Sequence, residues 1–374
     1  MWRASHARFP GPIRSSRRMS RASWARAARR EKLGMNGDIL DQTHEPVAAG
    51  KTIGVVVPTY NRANFLPETL DAILGQTRPP DEIIVVDDGS TDATPEVLAR
   101  YAPGVRTIRI TNSGDLVARN TGVRAAASDL IAFCDSDDLW RPGYLAAVAR
   151  LWQAEPRTRA AYGDFVIVRD GVWGTERKFA GAPPGFWEGL RALGPDIAVF
   201  DAPILPRLIA YQPFFPSAMT VDRVFFLEAG GWDEATGVGT DFTTALRVAE
   251  DAPIGVVQTP LVGIRKHSGN ISGDLQKMNL NDARVLEHVL RTRPAVRPHA
   301  ALIQASIARR RRDALETAFV RGDFKSVRAI HALLPAAERG GKIAIKHAVA
   351  ALPAPLARLL AGVLLAAGSA RSAA

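Results

Sequence analysis

Short apolar runs alternate with amphipathic stretches through the first half of the chain, and each apolar run ends in a polar turn. "TIGVVVP" is stopped by Pro58, and the stretch after it places Leu66, Leu70 and Ile73 on one helical face. This pattern of an apolar strand followed by an amphipathic helix recurs twice, and a fourth apolar strand then closes the series. This pattern predicts a βαβαβαβ series, and therefore an α/β fold with a mostly parallel central sheet and helices on both faces. The predicted strands are 52–58, 83–86, 105–110 and 129–134.

Polar side chains follow three of these strands at the point where each strand ends. Turn formation alone explains any one cluster, because Asp, Asn, Gly and Ser form turns and cap helices. Three clusters on one edge predict a shared cleft, since ligands of open parallel sheets bind at the carboxyl ends of the strands. The clusters are Pro58, Thr59, Tyr60 and Asn61; Asp87 and Asp88; and Asp135, Asp137 and Asp138.

The loop after the first strand lacks the glycines of a phosphate cradle. "PTYNRANF" contains neither G-x-G-x-x-G nor a Gly-rich turn ending in Lys-Ser or Lys-Thr. If the ligand is a nucleoside diphosphate, its charge must be neutralised by another group, and a hard divalent cation such as Mn or Mg suits carboxylate ligands. We therefore expect "DSDD" to hold this cation. Asp135 and Asp137 are two residues apart and point to the same side, so one could bind metal and the other a sugar hydroxyl.

Composition and charge narrow the function classes. The chain has 374 residues, 47% of them hydrophobic, which is typical of a globular protein with a large core. Nine of its ten net positive charges come from the arginines of residues 1–30, a stretch without Asp or Glu. The remainder is close to neutral, so nucleic-acid binding by the folded part is not indicated.

The N-terminal residues and the content of cysteine and histidine lead to further predictions. Residues 1–48 are predicted to be a disordered basic tail without a secretory signal, and Met19 and Met35 are equally plausible starts. Cys134 is the single cysteine, so the chain forms no internal disulfide, and the seven histidines include no close pair at zinc-ligand spacing.

Two segments together resemble the nucleotide-sugar-binding half of the family 2 glycosyltransferases. They are "VVVPTYNRANFLPETLDAILGQTRPPDEIIVVDDGSTDAT" and "NSGDLVARNTGVRAAASDLIAFCDSDDLW", and the likeness covers 52–150 and continues more loosely to 272. The resemblance implies a Rossmann-like GT-A fold over 49–272. It also implies inverting, metal-dependent transfer of a sugar from a nucleoside diphosphate sugar, with a UDP-sugar favoured, to an acceptor hydroxyl. Such enzymes build cell-surface polysaccharides or glycolipids.

The resemblance assigns a role to each matching residue. Asp137 is the principal metal ligand, with Asp135 or Asp138 beside it. Asp87 accepts a hydrogen bond from the base, and Arg119 lies near the base and phosphates. The residues implied to bind the nucleotide sugar are Pro58, Thr59, Asn61, Asp87, Asp88, Arg119, Asp135, Asp138 and His267.

The catalytic base implied by the resemblance is Asp241. In the family a late carboxylate, often in a Glu-Asp pair, deprotonates the acceptor hydroxyl. Here "GTDFTTALRVA" puts Asp241 at that position and Thr240 where the Glu usually stands. One well-placed carboxylate is sufficient for the chemistry. Asp233 and Glu234 are the nearest competing carboxylates, although a loop after a Gly-Gly turn explains them better.

The segment 171–216 is rich in Gly, Pro and aromatic residues, and two interpretations stay open. It could be a lid that stacks on acceptor sugars, or a long loop anchored on the core by its aromatic side chains.

Residues 273–374 lack the alternating pattern and are predicted to be helical. Two amphipathic helices join at Gly322 and Asp323, and the run Arg309–Arg312 is interpreted as a solvated helix face or a contact to anionic lipid. The apolar stretch that follows is interrupted by charges and prolines, so it fits a membrane interface better than a spanning helix.

These expectations describe a cytoplasmic enzyme that could sit peripherally at the inner face of the cell membrane. Its partners would be the sugar donor and a glycan or lipid-linked glycan acceptor, without nucleic acid. Two rival functions remain. One is a catalytically degenerate GT-A domain acting as an interaction module, and the other is a nucleotidyltransferase, for which a Gly-rich basic phosphate loop would be expected.

Overall fold

The computed structural model describes residues 50–234, 240–250, 252–267 and 274–372. The predicted basic tail at 1–48 lies outside these residues, and so does the end of the segment "RKHSGNIS".

The strands of the described residues form one eleven-stranded sheet. They are β1 Ile53–Thr59, β2 Glu82–Asp87, β3 Arg106–Arg109, β4 Leu130–Phe133, β5 Leu139–Trp140, β6 Ala160–Arg169, β7 Val172–Trp173, β8 Leu190–Ala192, β9 Ile197–Phe200, β10 Met219–Asp222 and β11 Ile254–Lys266. The order is β3-β2-β1-β4-β10-β6-β11-β9-β8, with β5 on β11 and β7 on β6. β1 runs parallel to both β2 and β4, whereas β10 joins β4 in antiparallel orientation. The predicted α/β fold with a mostly parallel central sheet is confirmed.

Helices cover the sheet and then continue into the C-terminal part of the chain. They are α1 Leu66–Leu74, α2 Thr94–Ala99, α3 Asp115–Ala125, α4 Tyr144–Ala154, α5 Leu205–Ala210, α6 Arg223–Glu228, α7 Thr240–Val248, α8 Leu275–Thr292, α9 Ala300–Val320, α10 Phe324–Leu333, α11 Gly341–Ala350 and α12 Ala354–Ser372. The predicted helical C-terminal region is therefore confirmed, and its two amphipathic helices are α9 and α10.

Alternation along β1 shows why both faces of the sheet are covered. Val56 packs into one hydrophobic cluster, while its neighbours Val55 and Val57 pack into the other. All three side chains are fully buried, as expected for a strand with helices on both faces. Leu70 of α1 belongs to the second cluster and Leu116 of α3 to the first, so the two helices lie on opposite faces.

The first C-terminal helices share the core of the sheet. Leu286 of α8 and Ile303 of α9 are fully buried in the same cluster as Val56. A separate cluster joins the end of α9 to the helices after it, through residues such as Phe319 and Ile330. The domain boundary at residue 272 stays a prediction, but α8 and α9 pack on the sheet rather than apart from it.

The arginine run of α9 differs from its prediction. Arg310 is buried and lies over the ring of Phe242, with 5.2 Å between its guanidinium carbon and the ring centroid. Arg311 donates to Glu287 and to a backbone carbonyl of α10. The expectation of a solvated face is wrong for these two residues, because neighbouring helices cover them.

The aromatic segment 171–216 packs mostly inward. Phe214 stacks on Tyr162 with ring centroids 4.0 Å apart, and Phe186 is buried against Trp187. These contacts favour the anchored loop over the lid for most of the segment. Phe215 is different, because it lines a cleft at the edge of the sheet.

Gly122 marks the closest approach of α3 to β1. A Cβ atom at this position would lie 2.4 Å from Cγ1 of Val56, which is buried on both sides. A glycine therefore allows the helix to lie directly on the strand.

We expect Gly122→Ala to lower the free energy of unfolding by about 1–3 kcal/mol, because the added methyl overpacks the contact with Val56. Urea unfolding followed by circular dichroism measures the change. Gly104→Ala is the matched control, since its Cβ would meet only the carbonyl of Tyr101 at 3.5 Å. The control should stay within about 0.5 kcal/mol of the wild type. Equal stability of the two variants would contradict the close packing of α3 on β1.

Candidate functional site

The carboxyl ends of β1, β2 and β4 open into one cleft of about 460 Å³. This volume lies in the usual range of small-molecule sites, roughly 300–1,000 Å³. The cleft brings together side chains that are far apart in sequence. Seven predicted site residues line it: Pro58, Thr59, Asp88, Arg119, Asp135, Asp137 and Asp138.

Arg119 is the central cation of the cleft. It projects from α3, donates to Asp135 at 2.6 Å and also bonds Asp115 one turn earlier. Its guanidinium lies over the ring of Trp232, 5.1 Å from the centroid. The side chain is buried, so this arginine is held rigidly between two carboxylates and an aromatic face.

Asp137 is partly exposed in the cleft, with 14% of its side chain accessible, against 22% for Asp135. Its Oδ2 lies 3.0 Å from Nε2 of His267 and 3.4 Å from Nε of Arg62. His267 is in turn stacked on Phe65, with ring centroids 4.4 Å apart. The structure therefore brings the predicted metal ligand and the predicted histidine into direct contact, although 130 residues separate them.

Asp138 is the most enclosed of the three carboxylates. It accepts a hydrogen bond from Ser217 Oγ and another from the backbone N–H of Arg265 at 2.8 Å. Burial, followed by repulsion from Asp135 and Asp137, raises its pKa well above the usual range for an aspartate. Its contacts within the protein give it a structural part in joining β11 to the loop after β4, and its predicted role at the sugar remains a prediction.

The two acids after β2 organise the loops beside the cleft. Asp87 accepts from the backbone N–H of Ser90 and from Arg109, both at 2.9 Å. Asp88 accepts from the N–H groups of Ser113 and Gly114 at 2.7 and 2.8 Å. Both carboxylates are buried, and Asp88 lies on the wall of the cleft.

Two residues of the first loop behave differently from each other. Asn61 has a positive φ of 51° and accepts from the N–H of Thr91 at 2.8 Å, so its amide joins the first loop to the second. Thr59 is buried in the cleft wall, and its hydroxyl has no hydrogen-bond partner within the protein. A buried hydroxyl without a partner is unusual, which supports a ligand contact at Thr59.

Asp241 lies in the first turn of α7, where the helix dipole favours a carboxylate. Burial raises its pKa, the positive charge of Arg119 lowers it, and the negative charge of Asp135 raises it. Asp241 therefore interacts electrostatically with Arg119 and Asp135 of the cleft, although it is not part of the lining. A raised pKa keeps a carboxylate closer to the range of a general base.

A match to the family described as Glycosyl transferase family 2 covers residues 54–200. This range holds β1 to β9 and all the carboxylates that follow β2 and β4. Residues 54–200 form a family 2 glycosyltransferase domain.

Curated relatives of this glycosyltransferase domain include bacterial proteins of similar description. The putative teichuronic acid biosynthesis glycosyltransferase TuaG of Bacillus subtilis is 38% identical over 93 residues, which are 24% of this chain and 37% of that protein. An uncharacterized glycosyltransferase of Nostoc sp. is 36% identical over 105 residues, 27% of this chain and 33% of that protein. The chain thus spans about a third of the length of these relatives.

Among solved structures, residues 1–349 of S. aureus TarS in complex with UDP-GlcNAc resemble this chain. The TM-score is 0.53 at 17% identity, over 77% of this chain and 82% of that one. The likeness concerns the fold, and the predicted GT-A fold is confirmed.

Asn120 is a residue of the glycosyltransferase domain that the sequence analysis missed. Its amide donates to the carbonyl of Trp232 and to Glu234, and its oxygen accepts from the N–H of Trp232 at 2.8 Å. It thereby fastens the loop that carries the competing acids to the helix that carries Arg119. Its position next to Arg119 in "ARN" was the available signal.

Other contributors to the site come from outside the motifs. Arg62 and Lys266 line the cleft and add positive charge around Asp137. Asp282 of α8 lies 3.6 Å from Arg310, whose guanidinium covers Phe242 beside the predicted base. Only the packing of α8 and α9 on α7 brings this ion pair behind Asp241, so no local pattern could indicate it.

The described residues fit a divalent cation only in part. They contain no group of three His, Cys, Asp or Glu side chains arranged to hold a metal ion. Asp135 bonds Arg119, and Asp137 contacts His267 and Arg62, so a cation would have to share either carboxylate with these groups. Mg²⁺ is commonly held by one or two carboxylates together with substrate phosphates, so Asp137 fits a cation that arrives with a diphosphate.

Asp282→Asn tests the buried ion pair behind α7. The pKa of Asp282 is raised from an ordinary 3.8 to about 6, because burial and the negative charge of Asp241 together outweigh the positive charge of Arg310. The folded protein therefore keeps a proton that the unfolded chain releases, so wild-type stability falls as pH rises from about 4 to about 6. The variant should lack this fall. Its stability relative to the wild type should rise over this interval by up to about 3 kcal/mol, as measured by urea unfolding at several pH values.

Asp313→Asn is the control for this experiment, because Asp313 lies on the surface of α9, 4.0 Å from Arg309. Its difference from the wild type should not change with pH in the same interval. A parallel pH dependence of wild type and Asp282→Asn would contradict the raised pKa of Asp282.

Proposed function

We propose that the protein is an inverting glycosyltransferase that moves a sugar from a UDP-sugar to a hydroxyl of a glycan or lipid-linked glycan. The observation that carries the proposal is the cleft where Asp135, Asp137 and Arg119 meet, within electrostatic range of Asp241. The UDP-GlcNAc complex of TarS, which has the same fold, supports a nucleotide-sugar donor. The likeness to a putative teichuronic acid biosynthesis enzyme supports a cell-surface polysaccharide as the product.

Different side chains of the cleft would bind the nucleoside, the diphosphate and the sugar of the donor. The nucleoside would lie against the first loop, where Thr59 offers its unpartnered hydroxyl and Asp87 and Asp88 hold the loops in place. The diphosphate would lie near Arg62 and Lys266, which supply positive charge at the other end of the cleft. The donor sugar would then face Asp135 and the base.

Asp241 would take the proton of the acceptor hydroxyl as that oxygen attacks the anomeric carbon. The new bond forms on the face opposite the diphosphate, and the bond from the anomeric carbon to the phosphate oxygen breaks with its electron pair. Direct displacement of this kind inverts the configuration. The protein contributes mainly by positioning the two reactants and by offsetting the charge that develops on the diphosphate.

A divalent cation bound at Asp137 would supply further charge to stabilise the leaving diphosphate. Arg62 and His267 already contact this carboxylate, so a bound cation would have to share it with them or displace them. The proposal includes this cation, so we expect donor binding and sugar transfer to depend on Mn or Mg.

Nucleotide binding tests the donor site. Calorimetric titration of UDP, GDP, TDP and CDP, with and without Mn, should give binding of one nucleotide, with UDP expected, and a higher affinity with the metal. Asp137→Ala should remove the effect of the metal, because it deletes the proposed metal ligand. Asp313→Ala removes a carboxylate of α9 that does not line the cleft, and it should bind as the wild type does.

Two results would contradict the donor site. The first is a folded wild type that binds none of the four nucleotides, which would favour an interaction module. The second is unchanged metal dependence in Asp137→Ala.

The base is tested by the release of UDP from UDP-GlcNAc, with water or an added glycan as acceptor. Asp241→Asn should lower the rate by about 10²–10⁴-fold, since it removes a general base. Its affinity for UDP should be unchanged. Because burial raises the pKa of Asp241, wild-type activity should fall on the acid side at a pH above the usual range of an aspartate.

Asp233→Asn is the matched control for the base, since Asp233 is a competing carboxylate and lies 3.9 Å from His288. It should retain most of the activity. A large loss in Asp233→Asn together with an active Asp241→Asn would move the base to the loop held by Asn120.

A further inference from the structure

The last helix turns its large apolar side chains outward. In α12, Ala357 and Ala361 are buried against the neighbouring helices. Leu356, Leu359 and Val363 are 44, 65 and 59% exposed. An ordinary surface helix buries its leucines and exposes its small or polar residues, so this arrangement is the reverse of the usual pattern.

Three exposed side chains of α12 form one stripe. Leu356, Leu359 and Val363 are spaced by three and four residues, so they lie on the same helical face. Leu364 and Leu365, each 38% exposed, lie on other sides of the helix. We call Leu356, Leu359 and Val363 the α12 stripe. Contiguous apolar surface of this kind marks an interaction site.

The chain around the α12 stripe is strongly basic. From residue 324 to residue 372 the single acidic residue is Glu338. Exposed cations include Lys325, Lys342 and Arg358, the last of which is on α12 itself. The full set of basic residues in this range is Lys325, Arg328, Arg339, Lys342, Lys346, Arg358 and Arg371.

The positive charge favours one of the two partners that the α12 stripe could bind, which are a second copy of the chain and a lipid surface. A second copy of the chain would bring the same excess of positive charge to the contact, and like charges oppose that pairing. An anionic lipid surface offers both complementary charge and an apolar interior. Within the described residues, no helix is long and apolar enough to cross a membrane, so a helix lying in the surface is the arrangement to consider.

We propose that the α12 stripe docks on the surface of an anionic lipid bilayer, with Leu356, Leu359 and Val363 inserted among the acyl chains. The exposed cations of the same C-terminal stretch, Lys342 and Arg358 among them, attract the protein to the negatively charged surface of the bilayer. The contact concerns where the enzyme lies and does not depend on the proposed sugar transfer.

The experiment is sedimentation of the full chain with vesicles of phosphatidylcholine, with and without phosphatidylglycerol, at low and high salt. The wild type should bind the vesicles that contain phosphatidylglycerol, and binding should weaken as salt rises. Leu359→Glu and Val363→Glu should each lower the partition coefficient by about tenfold or more, because a charge replaces an inserted apolar side chain.

Val172→Glu is the matched control, because Val172 is 70% exposed on β7 and outside the stripe. It should bind as the wild type does. Every variant keeps the nine arginines of residues 1–30, so their attraction to anionic lipid is the same throughout. The altered positions are exposed, and unchanged thermal unfolding of the variants will show that the fold is intact.

Lys342→Gln combined with Arg358→Gln tests the contribution of charge. This variant should bind phosphatidylglycerol vesicles more weakly and with a smaller salt dependence than the wild type. Equal binding of wild type, Leu359→Glu and Val363→Glu would overturn the proposal, and so would an absence of wild-type binding. A dimer of the wild type in light scattering that Leu359→Glu abolishes would assign the stripe to a second copy instead.

Discussion

The carboxylates that follow β4 can lie close together because each has its own partner within the protein. Arg119 holds Asp135, the pair of His267 and Arg62 contacts Asp137, and Ser217 with a backbone N–H holds Asp138. Without these partners, three neighbouring buried acids would repel one another strongly. The interactions also differ in kind, so the three acids are not equivalent. Asp138 is the most enclosed, whereas Asp135 and Asp137 stay partly exposed in the cleft.

Arg119 connects this cluster to the rest of the site. Its neighbour Asn120 makes three hydrogen bonds with the loop at Trp232, and Arg119 itself lies over the ring of Trp232. One helix therefore fixes both the side of the cleft that carries Arg119 and the loop at Trp232. The close contact of Gly122 with Val56 sets the distance of that helix from the sheet. Substitutions at the contact between Gly122 and Val56 would therefore shift several cleft residues together.

The C-terminal helices do more than extend the chain. α8 and α9 complete the core on one face of the sheet and bring Asp282 and Arg310 behind Phe242 and the proposed base. Each of these helices also exposes some large apolar side chains, and α12 exposes the most, with Leu356, Leu359, Val363, Leu364 and Leu365 at the surface. The first helices of the C-terminal region, α8 and α9, thus support the site. Its last helix, α12, instead carries an exposed apolar surface.

Local sequence patterns were sufficient for the alternating strands and helices and for the three polar clusters at the strand ends. Strand periodicity and turn residues act over a few positions, so β1, β2 and β4 and the carboxylates after them could be predicted without the fold. The partners of those carboxylates could not be. His267 reaches Asp137 across 130 residues, and Arg310 leaves the solvent because α8 covers it.

The sequence by itself determined the α/β class, the edge of the sheet that carries the cleft and the acids that line it. The tertiary structure alone decided which acid is enclosed, which acids stay partly exposed and which cations surround them. The reason is physical, since burial and charge pairing depend on contacts between distant segments, and those contacts set the pKa and the accessibility of each carboxylate.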